Sequence, residues 1–409
     1  MWLAGAMMVC STSVRADDAA PLDVTVDTLR LEAGGFTDSP GASSALFAHA
    51  AVSARGDSGA WSYALGLRLD AHAQGGTRDF DRTRLDYGET YLRWNGETSS
   101  VTVGAQRIVW GRVDEISPID RIGRNDFSRA VLDELSDRRL ATPALRAEHF
   151  IDELKFDLVW VPVFDAAVMP HRDSVWHPVD TRSGRLLGIG DAPIIVGAQL
   201  RKEERGSGGA GLRVTQGGGD VDYGFSLQRV RQSQPYYRLE PGVLTAVHPY
   251  SWVLGGEAET LLVGATWRME VAWSSDMPVT TRTLQFRTVP QFDTVVGAEW
   301  FPGDGDTRVT LQVAARRLMT SASILDRKEI YNLTGEVEHP FGLGQWKAGL
   351  RFVLGMGDRD VYVNPKISYV GFDQHELFLS GHFFSGSAQT LGGYFKDNDF
   401  VMLGWRASF

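Results

Sequence analysis

Between Trp110 and Pro143 the chain gathers charges of both signs into one long link, with Arg112, Asp114, Glu115, Asp120, Arg121 and Arg124 crowded into its first half and Arg129 following. No catalytic spacing organises them. What mixed-sign charge can do, if it lines a constriction, is set up a transverse field that orients polar solutes and focuses ions. The six residues Arg112 to Arg124 are therefore the expected pore constriction. The same residues on a solvated outer loop would meet only water or lipopolysaccharide, and that reading stands beside the first.

Other chemistry is poorly represented. There is no Gly-rich phosphate loop, no cysteine metal set and no HExxH. His171, Asp173 and His177 share one link and are metal ligands by type, but the context is that of an ordinary surface loop. Gly206-Ser207-Gly208 lacks nucleophile context and reads as a flexible turn. No enzyme activity, cofactor or metal is expected; a barrel hydrolase acting on lipid is the weakest of three functional readings. With 41 basic and 51 acidic residues the net charge is −10, which argues against nucleic acid, since phosphate binding needs concentrated Lys and Arg.

The elements that must position these charges alternate. Strand candidates of about ten residues recur between Gly, Asp, Asn and Pro clusters. The clearest are Trp61–His72, Val221–Arg231, Ala265–Ser274, Arg308–Leu318, Tyr331–His339, Trp346–Leu354 and Glu376–Phe384. In Ala265–Ser274, Trp267, Met269, Val271 and Trp273 face one way against Arg268, Glu270 and Ala272. Mean hydropathy is only −0.17, so apolar residues are dispersed and no run is long enough for a membrane helix. Strands of this length exceed those of a soluble sandwich. Links alternate between tight ones, such as Arg55–Gly59, Gly217–Asp220 and Pro340–Gly344, and longer ones, Ala73–Arg82, Trp110–Thr142, Asp165–Gly208 and Gln232–His248. The expected fold is all-β: a transmembrane antiparallel up-and-down β-barrel of about 16–18 strands, with an inward or lid-like loop.

Placing apolar residues toward lipid puts Arg68, Asp70, Glu257, Arg268, Glu270, Arg308, Arg316, Glu336, Lys347 and Arg351 on the lumen wall, because Arg or Lys on the lipid face near the midplane costs roughly 2–4 kcal/mol. They either brace the wall, Arg268 facing Glu257 and Lys347 facing Glu336 and Glu338, or tune pore selectivity. Aromatics near strand ends, among them Trp61, Trp94, Trp267, Trp300 and Trp346, suit belts at the headgroups.

The two ends carry processing signals. Residues 1–16 read as a secretory leader: Trp2–Cys10 is apolar and Val14-Arg15-Ala16 resembles a cleavage site, with no basic residue ahead of Arg15, as if the start were truncated. Residues 17–409 then form one domain. The final stretch alternates to a terminal aromatic, and Gly404, Trp405 and Phe409 resemble the C-terminal assembly signal of Gram-negative outer-membrane barrels; Ala407 stands where a larger apolar residue is usual.

Trp110-Gly111, Ser117-Pro118-Ile119-Asp120, Arg139 through Pro143, and Trp160-Val161-Pro162-Val163-Phe164 together resemble an uncharacterised family of proteobacterial outer-membrane barrels, grouped as a domain of unknown function. That family carries Trp-Gly, Pro-x-Asp, Arg-x-Pro and Trp-x-Pro-x-Phe elements; here the third is stretched. The resemblance, which extends in style to alginate-export-like porins, implies a barrel that exports or admits a poorly soluble compound. The expected function is an outer-membrane channel in a Gram-negative cell. Expected partners are the bilayer, lipopolysaccharide and the outer-membrane assembly machinery, with a homo-oligomer suggested by the Ala-rich stretch Ala42–Ala54. The alternative is a plugged scaffold barrel that docks periplasmic partners.

Overall fold

Period-two patterning carries the chain round a closed cylinder. The computed structural model describes residues 22–113, 116–202 and 206–409. The proposed leader, Asp114 and Glu115 lie outside those residues. The first strands are β1 (Asp23–Phe36), β2 (Ser44–Ser58), β3 (Trp61–Gly75), β4 (Phe80–Tyr87, resuming as Thr90–Asn95) and β5 (Ser99–Gln106). Next come β6 (Thr142–Ile151), β7 (Leu154–Val161), β8 (Gly209–Gln216), β9 (Val221–Arg231), β10 (Tyr250–Leu262), β11 (Ala265–Thr280) and β12 (Phe286–Trp300). The circuit finishes with β13 (Arg308–Leu318), β14 (Glu329–Phe341), β15 (Trp346–Gly355), β16 (Asp360–Phe372), β17 (His375–Gly386) and β18 (Phe400–Ser408).

Each strand pairs antiparallel with the next, and β18 closes the ring on β1, with Thr28 opposite Ser408 and Phe36 opposite Phe400. Both pieces of β4 pair with β3, so nineteen strand segments make 18 barrel strands. Closure leaves no unpaired edge, which is what allows a sheet to sit in lipid. No helix among the described residues is long and apolar enough to cross a membrane.

The wall has two faces. On β11, Trp267 and Met269 are exposed while Glu270 and Ala272 are buried. Around the cylinder Leu67, Leu158, Phe225 at 67% exposure, Leu254 and Leu403 point outward. An apolar band this continuous is a lipid-facing surface rather than a scatter of exposed residues. Aromatics mark one rim: Trp61 lies opposite Trp94, and the Trp346 ring meets Tyr369 at 4.9 Å between centroids.

Tight turns at 59–60, 96–98, 152–153, 217–220, 263–264, 301–307, 342–345 and 373–374 share the end where β1 begins and β18 finishes. The turn at 263–264 follows the apolar run Leu261-Leu262-Val263 with no Pro, Asp or Asn to announce it; Val263 and Gly264 both adopt positive φ, 53° and 74°, as a two-residue hairpin turn demands. The longest links, 107–141 and 162–208, leave the opposite end. The link expected at Ala73–Arg82 is instead a short turn at 76–79, because β3 and β4 stay paired as far as Gln74 and Phe80. Pro162 falls one residue past β7, where no ladder hydrogen bond is asked of it.

At the C-terminus, Gly404 faces inward and a Cβ there would come within 2.1 Å of the Phe378 ring on β17. Ala407, which stands where a larger apolar residue is usual, is fully covered. Its register partner is His375, whose ring stacks on Trp405 at 5.8 Å and meets Phe409 edge-on at 6.2 Å, so a small residue fits between them.

Candidate functional site: the segment between β5 and β6

Leaving β5, the chain first lies against the inner faces of β6 to β11. Ile108, Trp110, Ile119 and Ile122 pack with Ala144, Val159, Val161, Val230, Val253 and Ala272 into a buried cluster. This sector of the inner wall is apolar, unlike the wall positions where the charged residues stand. The strand sequence Leu158-Val159-Trp160-Val161 is apolar on both faces because both are covered, one by lipid and one by the segment. Gly211 makes room for the Trp110 indole: a Cβ there would come within 2.7 Å of it. Trp110 is 1% exposed, and its indole N–H donates to Asp157 at 2.9 Å, a carboxylate also held by the Arg146 fork at 2.8 and 2.6 Å.

Polar anchors follow at once. Glu270 accepts from the backbone N–H groups of Arg112 and Val113, the latter at 2.9 Å, and from the Ser117 hydroxyl at 2.7 Å. The Arg112 guanidinium reaches Glu257 at 3.1 Å, and Arg213 bonds the same carboxylate. Arg121 approaches Asp293 at 3.4 Å, where Arg316 also binds at 2.9 Å. Asp120 is held within the segment by both arms of Arg139, at 3.2 and 3.0 Å.

The second half meets the far side of the barrel. Arg124 bonds Asp86 at 3.2 Å and Asp165 at 3.0 Å. Asp126 is shared by Arg68 and Arg84, each at 3.2 Å. Arg129 sits over the Phe47 ring at 4.1 Å while bonding Glu32 and, at 2.8 Å, Asp133. Arg351 donates to the carbonyls of Val131 and Leu132 at 3.0 and 3.4 Å. Asp137 receives Arg30 at 3.1 Å and Arg406 at 2.5 Å. Starting on β6–β12, the segment thus ends on β1–β4, β15 and β18.

Of the wall residues read from sequence, Arg68, Glu257, Glu270 and Arg351 bond the segment directly, and Arg316 does so through Asp293. Asp70 backs Arg68 at 2.7 Å. The remainder brace the wall nearer the tight turns: Arg268 with Glu259 at 2.9 Å, Arg308 with Glu336 at 3.0 Å, and Lys347 with Glu338 at 3.2 Å. Arg268 therefore pairs with Glu259, its register partner, and not with Glu257, while Lys347 takes Glu338 alone among its expected partners. Asp126, Asp157 and Asp293 escaped the sequence reading, whereas Arg129, named there with the segment's charges, does pair with the wall at Glu32. An inward-register Asp inside an apolar strand, as at Asp157, was the available signal.

Cavities remain on both sides of the segment. One of about 240 Å³ lies against β1–β3, bordered by Arg68, Arg107 and Arg139. A larger one of about 920 Å³ lies toward the mouth, under the 162–208 link, bordered by Arg82, Arg84 and Arg124. The described parts of that link are tied down: Gln199–Lys202 pairs in parallel with Val243–Val247 from the next long loop, and Trp176 packs with Phe384, Phe395 and Phe400. Burial pushes the His177 imidazole down from its ordinary value, against the opposing effect of its backbone bond with Val179. Among the described residues no three His, Cys, Asp or Glu side chains are grouped to hold a metal ion; His171 lies 3.6 Å from Asp173 and stacks on the Phe80 ring at 4.6 Å.

A family model described as "Protein of unknown function (DUF1302)" matches residues 28–323, which includes the whole segment and most of the strands that anchor it. The chain belongs to this family. No curated protein matches it in sequence. Among solved structures, OpdL of Pseudomonas aeruginosa is 10% identical over 95% of this chain and 98% of its own, with a TM-score of 0.52. OccK7 (OpdD) of Pseudomonas aeruginosa is 10% identical over 95% and 99%, with a TM-score of 0.51. The outer membrane channel DcaP of Acinetobacter baumannii is 10% identical over 98% and 100%, with a TM-score of 0.47. At such identity the likeness of this DUF1302 barrel to porins is one of fold.

Proposed function

We propose that this DUF1302 protein is an outer-membrane channel of porin type, in which the 107–141 segment narrows the lumen and a small solute passes beside it. The observation that carries this reading is the segment's attachment to opposite walls, through Glu270 and Glu257 on one side and Arg68 and Arg351 on the other. A loop so held leaves defined spaces instead of an open bore. The two cavities along β1–β4 are separated by the cluster in which Arg68 and Arg84 share Asp126, and that cluster is the constriction a solute would pass. Of the six constriction residues read from sequence, Arg112, Arg121 and Arg124 supply wall contacts; Asp120 acts by fixing Arg139.

The apolar girdle and the porin-like fold support residence in a Gram-negative outer membrane. Gly404, Trp405 and Phe409 would present the closing strand to the assembly machinery. The site offers ion pairs that hold structure, and catalysis is no part of this reading.

The test is conductance of the refolded full-length chain in planar bilayers. Stepwise openings are expected, and removal of Asn125–Arg138 should enlarge them, since it takes away Asp126, Arg129 and Asp133. An electrically silent barrel would favour the plugged scaffold.

A further inference from the structure

The cavity under the 162–208 link is unbalanced in charge. Among its described lining residues, eight are Arg or Lys and three are Asp. Arg78, Arg84 and Arg124 are neutralised by Asp180, Asp126 and Asp165. Arg172 and Arg182 share Asp173. Among the described residues two guanidinium groups have no carboxylate partner: Arg82 on the inner face of β4, which reaches the Met169 carbonyl at 3.3 Å, and Arg201 on the mouth loop. Arg82 lies one inward position above Arg84, and Arg84 touches the carboxylate that also binds Arg68, so the unneutralised charge stands at the head of an arginine series leading to the constriction.

A cleft with low-dielectric walls and excess positive charge concentrates anions. A guanidinium presents its N–H groups as a planar fork that matches a carboxylate in two hydrogen bonds. The same cavity is faced by Val168, Met169, Leu200 and Ala246, which offer nothing to a bare inorganic ion but cover an apolar body. Its volume of about 920 Å³ lies within the range that holds a small organic molecule.

Building on the channel reading, we infer that the solute is an organic anion with an apolar body, a small aryl or alkyl carboxylate, received at Arg82 before it passes the Asp126 cluster. The carboxylate replaces the water on Arg82 while the apolar part lies along Met169 and Leu200. Arg84 and Arg68, already engaged with Asp126, then offer a graded sequence of partners, so the anion is passed on and not trapped.

The experiment uses the full-length protein in planar bilayers under a potassium chloride gradient, with benzoate, benzyl alcohol and inorganic phosphate as probes. The reversal potential should show chloride preferred over potassium. Benzoate should reduce the chloride current at concentrations where benzyl alcohol and phosphate do not. Arg82→Gln should raise the half-blocking benzoate concentration about tenfold, the scale of one charge-assisted hydrogen bond, with Arg201→Gln giving a smaller shift in the same direction. Arg317→Gln, on the outer face, should change nothing. A conducting channel that prefers potassium, or whose benzoate block equals that of benzyl alcohol or survives both substitutions, would overturn the inference and leave the channel reading intact. Phosphate blocking as well as benzoate would remove the apolar body from it. A silent barrel would remove the channel reading and this inference together.

Discussion

Glu257 and Glu270 stand directly opposite each other across the β10–β11 ladder, both facing inward and both buried. Like charges in that position destabilise a sheet. The 107–141 segment resolves the conflict by treating the two differently. Glu257 receives the guanidinium groups of Arg112 and Arg213, whereas Glu270 receives the N–H groups of Arg112 and Val113 and the Ser117 hydroxyl. The segment thus supplies the donors that hold Glu270, and shares with the wall's own Arg213 the neutralisation of Glu257.

Glu270→Ala is therefore expected to free the start of the segment. Three donors lose a charged acceptor, at a cost on the order of 3 kcal/mol. The denaturant midpoint of the refolded barrel should fall, and single-channel conductance should become larger and noisier. An unchanged conductance would mean that the apolar cluster alone fixes the segment.

That cluster has its own test. Gly211→Val places side-chain atoms where the Trp110 ring lies, and Trp110→Ala empties the same space. Trp110→Ala should cost about 3–5 kcal/mol, as large-to-small core changes do, and Gly211→Val about 1–3 kcal/mol, as overpacking does. In the double variant the two volume changes oppose each other, so denaturation should show less than the sum of the single losses.

Acidification should loosen the mouth. Because burial lowers the native pKa of His177, its contribution is present above the unfolded value of about 6.5 and is lost as pH falls through that range toward the native pKa. Hydrogen exchange at residues 176–180, corrected for its intrinsic pH dependence, should show less protection at about pH 5 than at about pH 8. His177→Gln should abolish the difference.

Gly404→Val should block closure of the barrel, because the new side chain meets the Phe378 ring. Folding yield in detergent, read from gel mobility before and after heating, should fall sharply. Phe378→Ala in the same chain should restore it. Failure of the second substitution to rescue would place the defect in recognition of the C-terminal strand and not in packing.

Alternation in the sequence marked out most of the strands and the outward apolar girdle, because period two assigns a face to each residue without reference to any other. It also located most of the tight turns, where Gly, Asp and Pro interrupt the pattern. Partners were another matter. Arg268 pairs with Glu259 because β10–β11 register sets them opposite, and Arg112 finds Glu257, 145 residues away, only once the barrel has closed. Nor could periodicity reveal that Val159, Val161 and Val253 point inward against Ile119 and Trp110: a strand reports which residues share a face, and only the folded cylinder decides what covers it.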